Sequence, residues 1–132
     1  MRESSEEDVA IVFDTAAFLA GLHLLIKEKI FTVEEVIREV KDSYSSTRLI
    51  YGLEADRVEI IDVEKNAFPI TLPVRLKEKL SETDLKVISL ALLLRSEGKD
   101  VLVFTDDYAL QQSLRMLGIK FKPVRHRGIK EK

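Results

Sequence analysis

A chain of 132 residues, 45% hydrophobic and 33% charged, suits one compact domain and is too short for two; that balance excludes disordered and collagen-like architectures. With no cysteine and only two histidines, it has no disulfide, no thiolate nucleophile and no Cys/His zinc site. The net charge of −2 hides an uneven distribution, since residues 120–132 hold six Lys/Arg against one Glu, a +5 extension on a body of −7.

Residues 1–8 are polar and lack the basic and then apolar regions of a signal peptide, so they read as a flexible N-terminal tail on a cytoplasmic protein. No apolar run approaches the ~20 residues needed to cross a membrane. Val9-Ala-Ile-Val-Phe13 is a continuous apolar, β-branched run that stops at Asp14, the mark of a strand buried on both faces. A helical stretch over residues 15–22 follows, then a short strand at residues 30–32. Thr32-Val-Glu-Glu35 has the form of a capping box opening a helix that runs to about Asp42.

Residues 44–55 carry apolar positions consistent with another helix, and residues 58–63 form the next strand. Two prolines in residues 66–73 mark a surface loop before a short amphipathic segment over residues 74–80. Ser81-Glu-Thr-Asp84 opens a strong helix, with Leu85, Ile88, Ala91 and Leu92 inward and Gly98 placed to end it. Residues 101–104 repeat the first strand's character and stop at Thr105-Asp-Asp107. A helix bearing Leu110, Leu114 and Leu117 then leads to Gly118 and a last strand over residues 119–124. Apolar strands alternating with helices imply an α/β sandwich, a parallel sheet covered on both faces whose ligands collect beyond the strands' carboxyl ends.

Two buried strands therefore end in carboxylates, Asp14 and Asp106-Asp107. If these strands are neighbours, like charges meet at a cost of roughly 4 kcal/mol per close pair at an effective dielectric near 20, so the cluster needs a proton or a cation. An oxygen-only donor set points to Mg²⁺ or Mn²⁺ rather than zinc, an ion able to activate water against a phosphodiester. Structural readings compete. Asp14 can cap the helix after it, and Asp84 sits where a capping box favours an acid. Two adjacent acids at 106 and 107 exceed what one cap needs. Glu39 lies about 40° nearer the helix's inward stripe than Glu35 and has no capping task. No GxxxxGK[ST], GxGxxG, GxSxG or HExxH pattern occurs, which removes the usual nucleotide-binding, Rossmann, esterase and zincin routes. His23 reads as a packed side chain and His126 as part of the basic tail.

The order of these features resembles the PIN-domain nucleases: apolar strand plus Asp14, helical Glu39, Ser81-x-x-Asp84, strand plus Thr105-x-Asp107. Residues 30–42, Leu80-Ser-Glu-Thr-Asp84, Thr105-Asp-Asp-Tyr-Ala-Leu-Gln111 and Arg127-Gly-Ile-Lys130 look most like the archaeal Nob-type endoribonucleases, which trim the 3′ end of small-subunit ribosomal RNA. The resemblance implies a three-layer α/β/α domain over residues 9–124, its first and fourth strands adjacent, followed by a basic tail over residues 125–132. It implies an acidic quartet of Asp14, Glu39, Asp84 and Asp107. Asp14, Asp84 and Asp107 would hold Mg²⁺ or Mn²⁺, with Asp106 as a further ligand or a support behind the ligands, Thr105 orienting the group and Glu39 positioning the water. Lys120, Lys122, Arg125, Arg127 and Lys130 would track the RNA backbone. The implied partners are the small-subunit rRNA precursor and the pre-ribosomal small subunit, with a homodimer left open and no membrane. Nob-type proteins usually continue into a Cys-rich zinc ribbon, and this chain, a natural short form or a truncated one, ends where the ribbon would begin. A Vap-type toxin ribonuclease and a non-catalytic, metal-holding ribosome-binding module are the alternatives.

Overall fold

The computed structural model describes residues 9–43 and 57–125. The expected helix over residues 44–55, and His126, Arg127 and Lys130, lie outside them. The elements run β1 (Val9–Phe13), α1 (Thr15–Leu19), a 3-10 turn (Leu22–Leu24), β2 (Ile30–Thr32), α2 (Glu34–Lys41), β3 (Val58–Ile60), α3 (Val74–Lys77), α4 (Glu82–Ser96), β4 (Asp100–Phe104), α5 (Tyr108–Met116) and β5 (Lys120–Lys122). All strand pairs are parallel, in the order β3-β2-β1-β4-β5. No helix among the described residues is long and apolar enough to cross a membrane.

The sheet is the α/β sandwich that unbroken apolar strands require. Central β1 buries Ala10, Ile11, Val12 and Phe13, since helices cover both faces of a parallel sheet. Phe13 meets Phe18 and Phe104 edge to face at 5.0 and 5.7 Å, which knits α1 and β4 into one core. Helix α4 is apolar nearly all round, burying Val87, Ile88, Leu90, Ala91, Leu92 and Leu94, as expected of a helix enclosed by protein.

Three local expectations change, each for a physical reason. Thr32 does not cap α2. Its hydroxyl donates to the Phe13 carbonyl at 2.9 Å, the helix starts after Val33 without a side-chain cap, and Glu35 pairs with Lys86 at 2.7 Å. Strand β3 stops at Ile60 because β2 ends at Thr32 and offers no longer partner. Strand β5 stops at Lys122 because Pro123 has no N–H to continue the ladder.

The register positions the site. Val9 lies opposite Asp100 and Phe13 opposite Phe104, so β1 and β4 end level. The chain leaves both at the same point of the sheet edge, where Asp14 N–H donates to the Phe104 carbonyl at 3.1 Å.

Candidate active site

Asp14 occupies the N-cap position of α1, yet its side chain makes no cap hydrogen bond. Oδ2 instead accepts the Thr105 hydroxyl at 2.7 Å. Thr105 is fully buried and ties down more than Asp14. Its Oγ1 also accepts the Asp107 N–H at 3.1 Å, and its carbonyl accepts Gln111 Nε2 at 2.8 Å. Asp107 caps α5, with Oδ1 accepting the Leu110 N–H at 2.8 Å.

Asp84 enters from α4. Its Oδ2 accepts the Ser81 N–H at 2.9 Å while Ser81 Oγ accepts the Asp84 N–H at 3.0 Å, the capping box that Ser81-x-x-Asp84 foretold. Glu39 comes from α2 between two threonines. Thr15 donates to Oε1 at 2.6 Å and Thr83 to Oε2 at 3.0 Å. Because Thr15 follows Asp14 and Thr83 precedes Asp84, this glutamate bridges the helix starts that carry the two aspartates. Glu35 is turned instead to Lys86, whose hydrogen bond holds its carboxyl below the ordinary range.

The electrostatics record the convergence. Burial pushes the Asp14 carboxyl up to about 6, and the negative charges of Asp84 and Glu39 push the same way against the opposing Thr105 hydroxyl. Burial likewise raises Asp84, with Asp107 and Glu39 adding to the rise. Asp14 and Asp84 are 8% and 7% exposed, so neither sheds its charge cost into solvent.

Asp106 is committed elsewhere. Its carboxylate accepts the Val124 N–H at 2.7 Å and meets the Arg125 Nε at 3.0 Å. Burial alone would raise it, but these donors bring it below the ordinary carboxylate range. They stand where Pro123 has ended β5, so Asp106 ties the outgoing chain to the sheet edge. Among the described residues, the basic side chains of this set are spread rather than gathered. Lys122 lies opposite Phe104, at the acidic edge, whereas Lys120 pairs with Asp100 at 3.6 Å, at the amino end of the strands.

Among the described residues no three Asp, Glu or His side chains converge tightly enough to enclose a metal ion unaided. The donor set nonetheless fits Mg²⁺ or Mn²⁺, which commonly take one or two protein carboxylates and keep several waters. Asp84 and Asp107 each spend one oxygen on a cap, and the raised Asp14 is a charge that awaits a counterion. Sequence reasoning missed Thr15, Thr83 and Gln111. The first two stood out only as neighbours of Asp14 and Asp84, and Gln111 only as the end of the Thr105–Gln111 motif.

A parallel α/β sandwich whose carboxyl edge gathers carboxylates from four stretches of chain, locked by a threonine after the fourth strand, defines a PIN-like domain. A family model described as the PIN domain of ribonuclease matches residues 11–94, reaching Asp14, Glu39 and Asp84. The chain is 35% identical over 125 residues to endoribonuclease Nob1 of Pyrococcus abyssi, covering 92% of this chain and 71% of that protein. It is 34% identical over 124 residues to endoribonuclease Nob1 of Methanothermobacter thermautotrophicus, at 91% and 71% coverage, and 34% identical over 123 residues to ribonuclease VapC3 of Aeropyrum pernix, at 90% and 88%. The chain belongs to the PIN-domain ribonucleases and fits their Nob type. Its activity class is that of an endoribonuclease, and its substrate is RNA.

Proposed function

We propose that the chain is a Mg²⁺- or Mn²⁺-dependent endoribonuclease of the cytoplasm that cuts single-stranded RNA, maturing the 3′ end of small-subunit rRNA within the pre-ribosomal subunit. The observation that carries the chemistry is the buried Thr105 hydroxyl on Asp14 Oδ2, with Asp84 and Glu39 in electrostatic reach of the same carboxylate. The substrate rests on the two Nob1 relatives.

Asp14, Asp84 and Asp107 would hold the cation, which when bound supplies a water nucleophile and neutralises charge developing on the phosphate. Glu39 holds the attacking water through an oxygen whose direction Thr15 and Thr83 set. Thr105 keeps Asp14 from rotating, while Asp106 anchors the start of the basic tail and is not a ligand in this scheme. Lys122 and Arg125, with Arg127 and Lys130 beyond the described residues, contribute phosphate contacts. Lys120, paired with Asp100, contributes least. No feature of the described surface calls for a homodimer, which is not part of the reading.

The VapC3 relative supports a second reading, a toxin ribonuclease. One experiment separates the two, and both from a non-catalytic binding module. Purified chain is given RNA spanning the small-subunit 3′ junction, free and within pre-ribosomal particles, with Mn²⁺, Mg²⁺ or chelator. Metal-dependent cutting at the junction, lost in Asp14→Asn and Asp107→Asn, supports processing. Equal cutting of unrelated RNAs together with co-purification of a small inhibitor protein favours the toxin. Absence of cleavage despite particle binding favours the module.

A further inference from the structure

Helices α3 and α5 flank a groove of about 340 Å³ in which Arg75 and Lys79 face Gln112, Arg115 and Met116. Its charged lining is cationic throughout. Neither Arg75 nor Lys79 forms an ion pair or a side-chain hydrogen bond with another described residue, and both are exposed. The Arg115 guanidinium sits 5.3 Å over the Phe121 ring, a contact that holds it in place while leaving its charge available. A larger depression at the amino end of the strands, about 640 Å³, mixes Glu28, Glu59 and Glu97 with Lys29 and Lys99 and would repel a polyanion.

One wall of the cationic groove, α5, starts at the acidic edge, where Asp107 caps it. Tyr108 directly follows Asp107, and the residue is 72% exposed, an unusual outlay of aromatic surface. Residues 108, 112 and 116 stand four apart on one face of α5, and Gln112 Nε2 donates to Tyr108 Oη at 3.3 Å, which ties the ring to a residue lining the groove. From Asp107 to Arg115 is about 12 Å at 1.5 Å per residue. The second wall also leads to the site, since the chain passes from Lys79 through Leu80 into the Ser81–Asp84 cap.

We propose that Tyr108 and the Arg75–Lys79–Arg115 groove form a track for single-stranded RNA running away from the cut site, one unpaired base stacking on the Tyr108 ring and the following phosphates lying along the three cations. An exposed ring offers its face only to a base freed from pairing, and stacking of this kind is tolerant of sequence. Cations without carboxylate partners are what a phosphate backbone selects. The track rests on the ribonuclease reading and adds to it a binding surface separate from the basic tail.

Fluorescence anisotropy with a short labelled oligoribonucleotide, single-stranded or annealed to its complement, tests this in chelator so that no cutting occurs. Tyr108→Ala should weaken single-strand binding by about tenfold and Tyr108→Phe by no more than about twofold. Duplex binding should respond to neither. The double variant Arg75→Glu/Lys79→Glu should weaken binding further and reduce the slope of log affinity against log salt by about 0.7 per cation removed. These side chains are exposed, and matching thermal melts establish that each variant is folded. If wild type binds the single strand but all three variants match it in affinity and salt slope, the track is overturned and the ribonuclease reading stands. If wild type binds no RNA in either form, the underlying reading falls and the track with it.

Discussion

Thr105 and Asp14 stand 91 residues apart in the chain and share a 2.7 Å hydrogen bond at the buried edge of the sheet. The contact exists because β1 and β4 pair in register and end together at Phe13 and Phe104. Thr105→Val keeps the shape and deletes the hydroxyl, leaving Asp14 Oδ2 without its donor and the Asp107 N–H without its acceptor. The expected cost is about 1–3 kcal/mol of stability, with a 10–100-fold loss of cleavage rate as the ligand set loosens. Thr105→Ser should restore most of both. Urea unfolding beside single-turnover cleavage reads the effect, and a wild-type rate in the Val variant would contradict the positioning role.

Asp14 makes stability depend on pH in an unusual direction. Its folded value of about 6 lies above the ordinary 3.8, so between those values the native state holds a proton that the unfolded chain has released. Stability from this group therefore falls as pH rises from about 4 to 6, and the penalty is complete above 6. It is on the order of 2–3 kcal/mol. In chelator, Asp14→Asn should be more stable than wild type at pH 8, the two converging near pH 4, while cleavage is abolished. Denaturant unfolding across that range checks the sign. An Asn variant less stable than wild type at pH 8 would show that the buried charge is already compensated.

Two glutamates one helical turn apart should behave differently. Glu39 is held by Thr15 and Thr83 at the acidic edge, and Glu35 by the partly buried Lys86. Glu39→Gln should reduce the cleavage rate at least 100-fold, as expected for a group that positions the reacting water. Glu35→Gln should leave the rate unchanged and cost less than about 1 kcal/mol. Equal rates for the two variants would remove Glu39 from the mechanism.

How far the sequence disclosed this arrangement depended on whether the deciding interaction was local. Strands β1 and β4 were legible because parallel strands are apolar on both faces and end abruptly, and the Ser81–Asp84 cap was legible because both partners lie within four residues. The preference for Glu39 over Glu35 came from helix geometry and from a capping task for Glu35 that the structure does not show. The threonines that orient Glu39 lie 24 and 44 residues from it, beyond any local pattern. Thr32 and Asp106 show the converse. Each sits in a motif that reads correctly by spacing, yet Thr32 finds a carbonyl on β1. Asp106 finds the amides left unpaired once Pro123 ends the last strand. The α3–α5 groove was invisible because its cations come from segments about 40 residues apart.

Asp106 offers a clean separation of support from chemistry. Asp106→Ala removes the acceptor for Val124, Arg125 and the Arg125 guanidinium, which should loosen the chain after β5 at a cost of about 1–2 kcal/mol. Its maximal single-turnover rate should stay within a few-fold of wild type, with the loss confined to RNA affinity, in contrast to Asp107→Ala. Rates measured at saturating and limiting protein separate the two contributions. A collapse of the maximal rate would return Asp106 to the ligand set.

Metal binding should appear as stability, because a cation that relieves the charge at Asp14 binds the folded chain and not the unfolded one. At a hundredfold excess over its dissociation constant a single ion adds about 2.7 kcal/mol, several degrees in melting temperature for a domain of this size. At pH 8, Mn²⁺ or Mg²⁺ should therefore raise the wild-type melting temperature and chelator should reverse the change. The response should vanish in Asp14→Asn/Asp84→Asn, which starts from a higher metal-free value for the reason given above. At pH 5, where Asp14 retains its proton, the rise should shrink, since the ion must first displace that proton. An equal metal-induced rise in the double variant would place the bound ion elsewhere on the acidic surface and detach the carboxylate edge from metal chemistry.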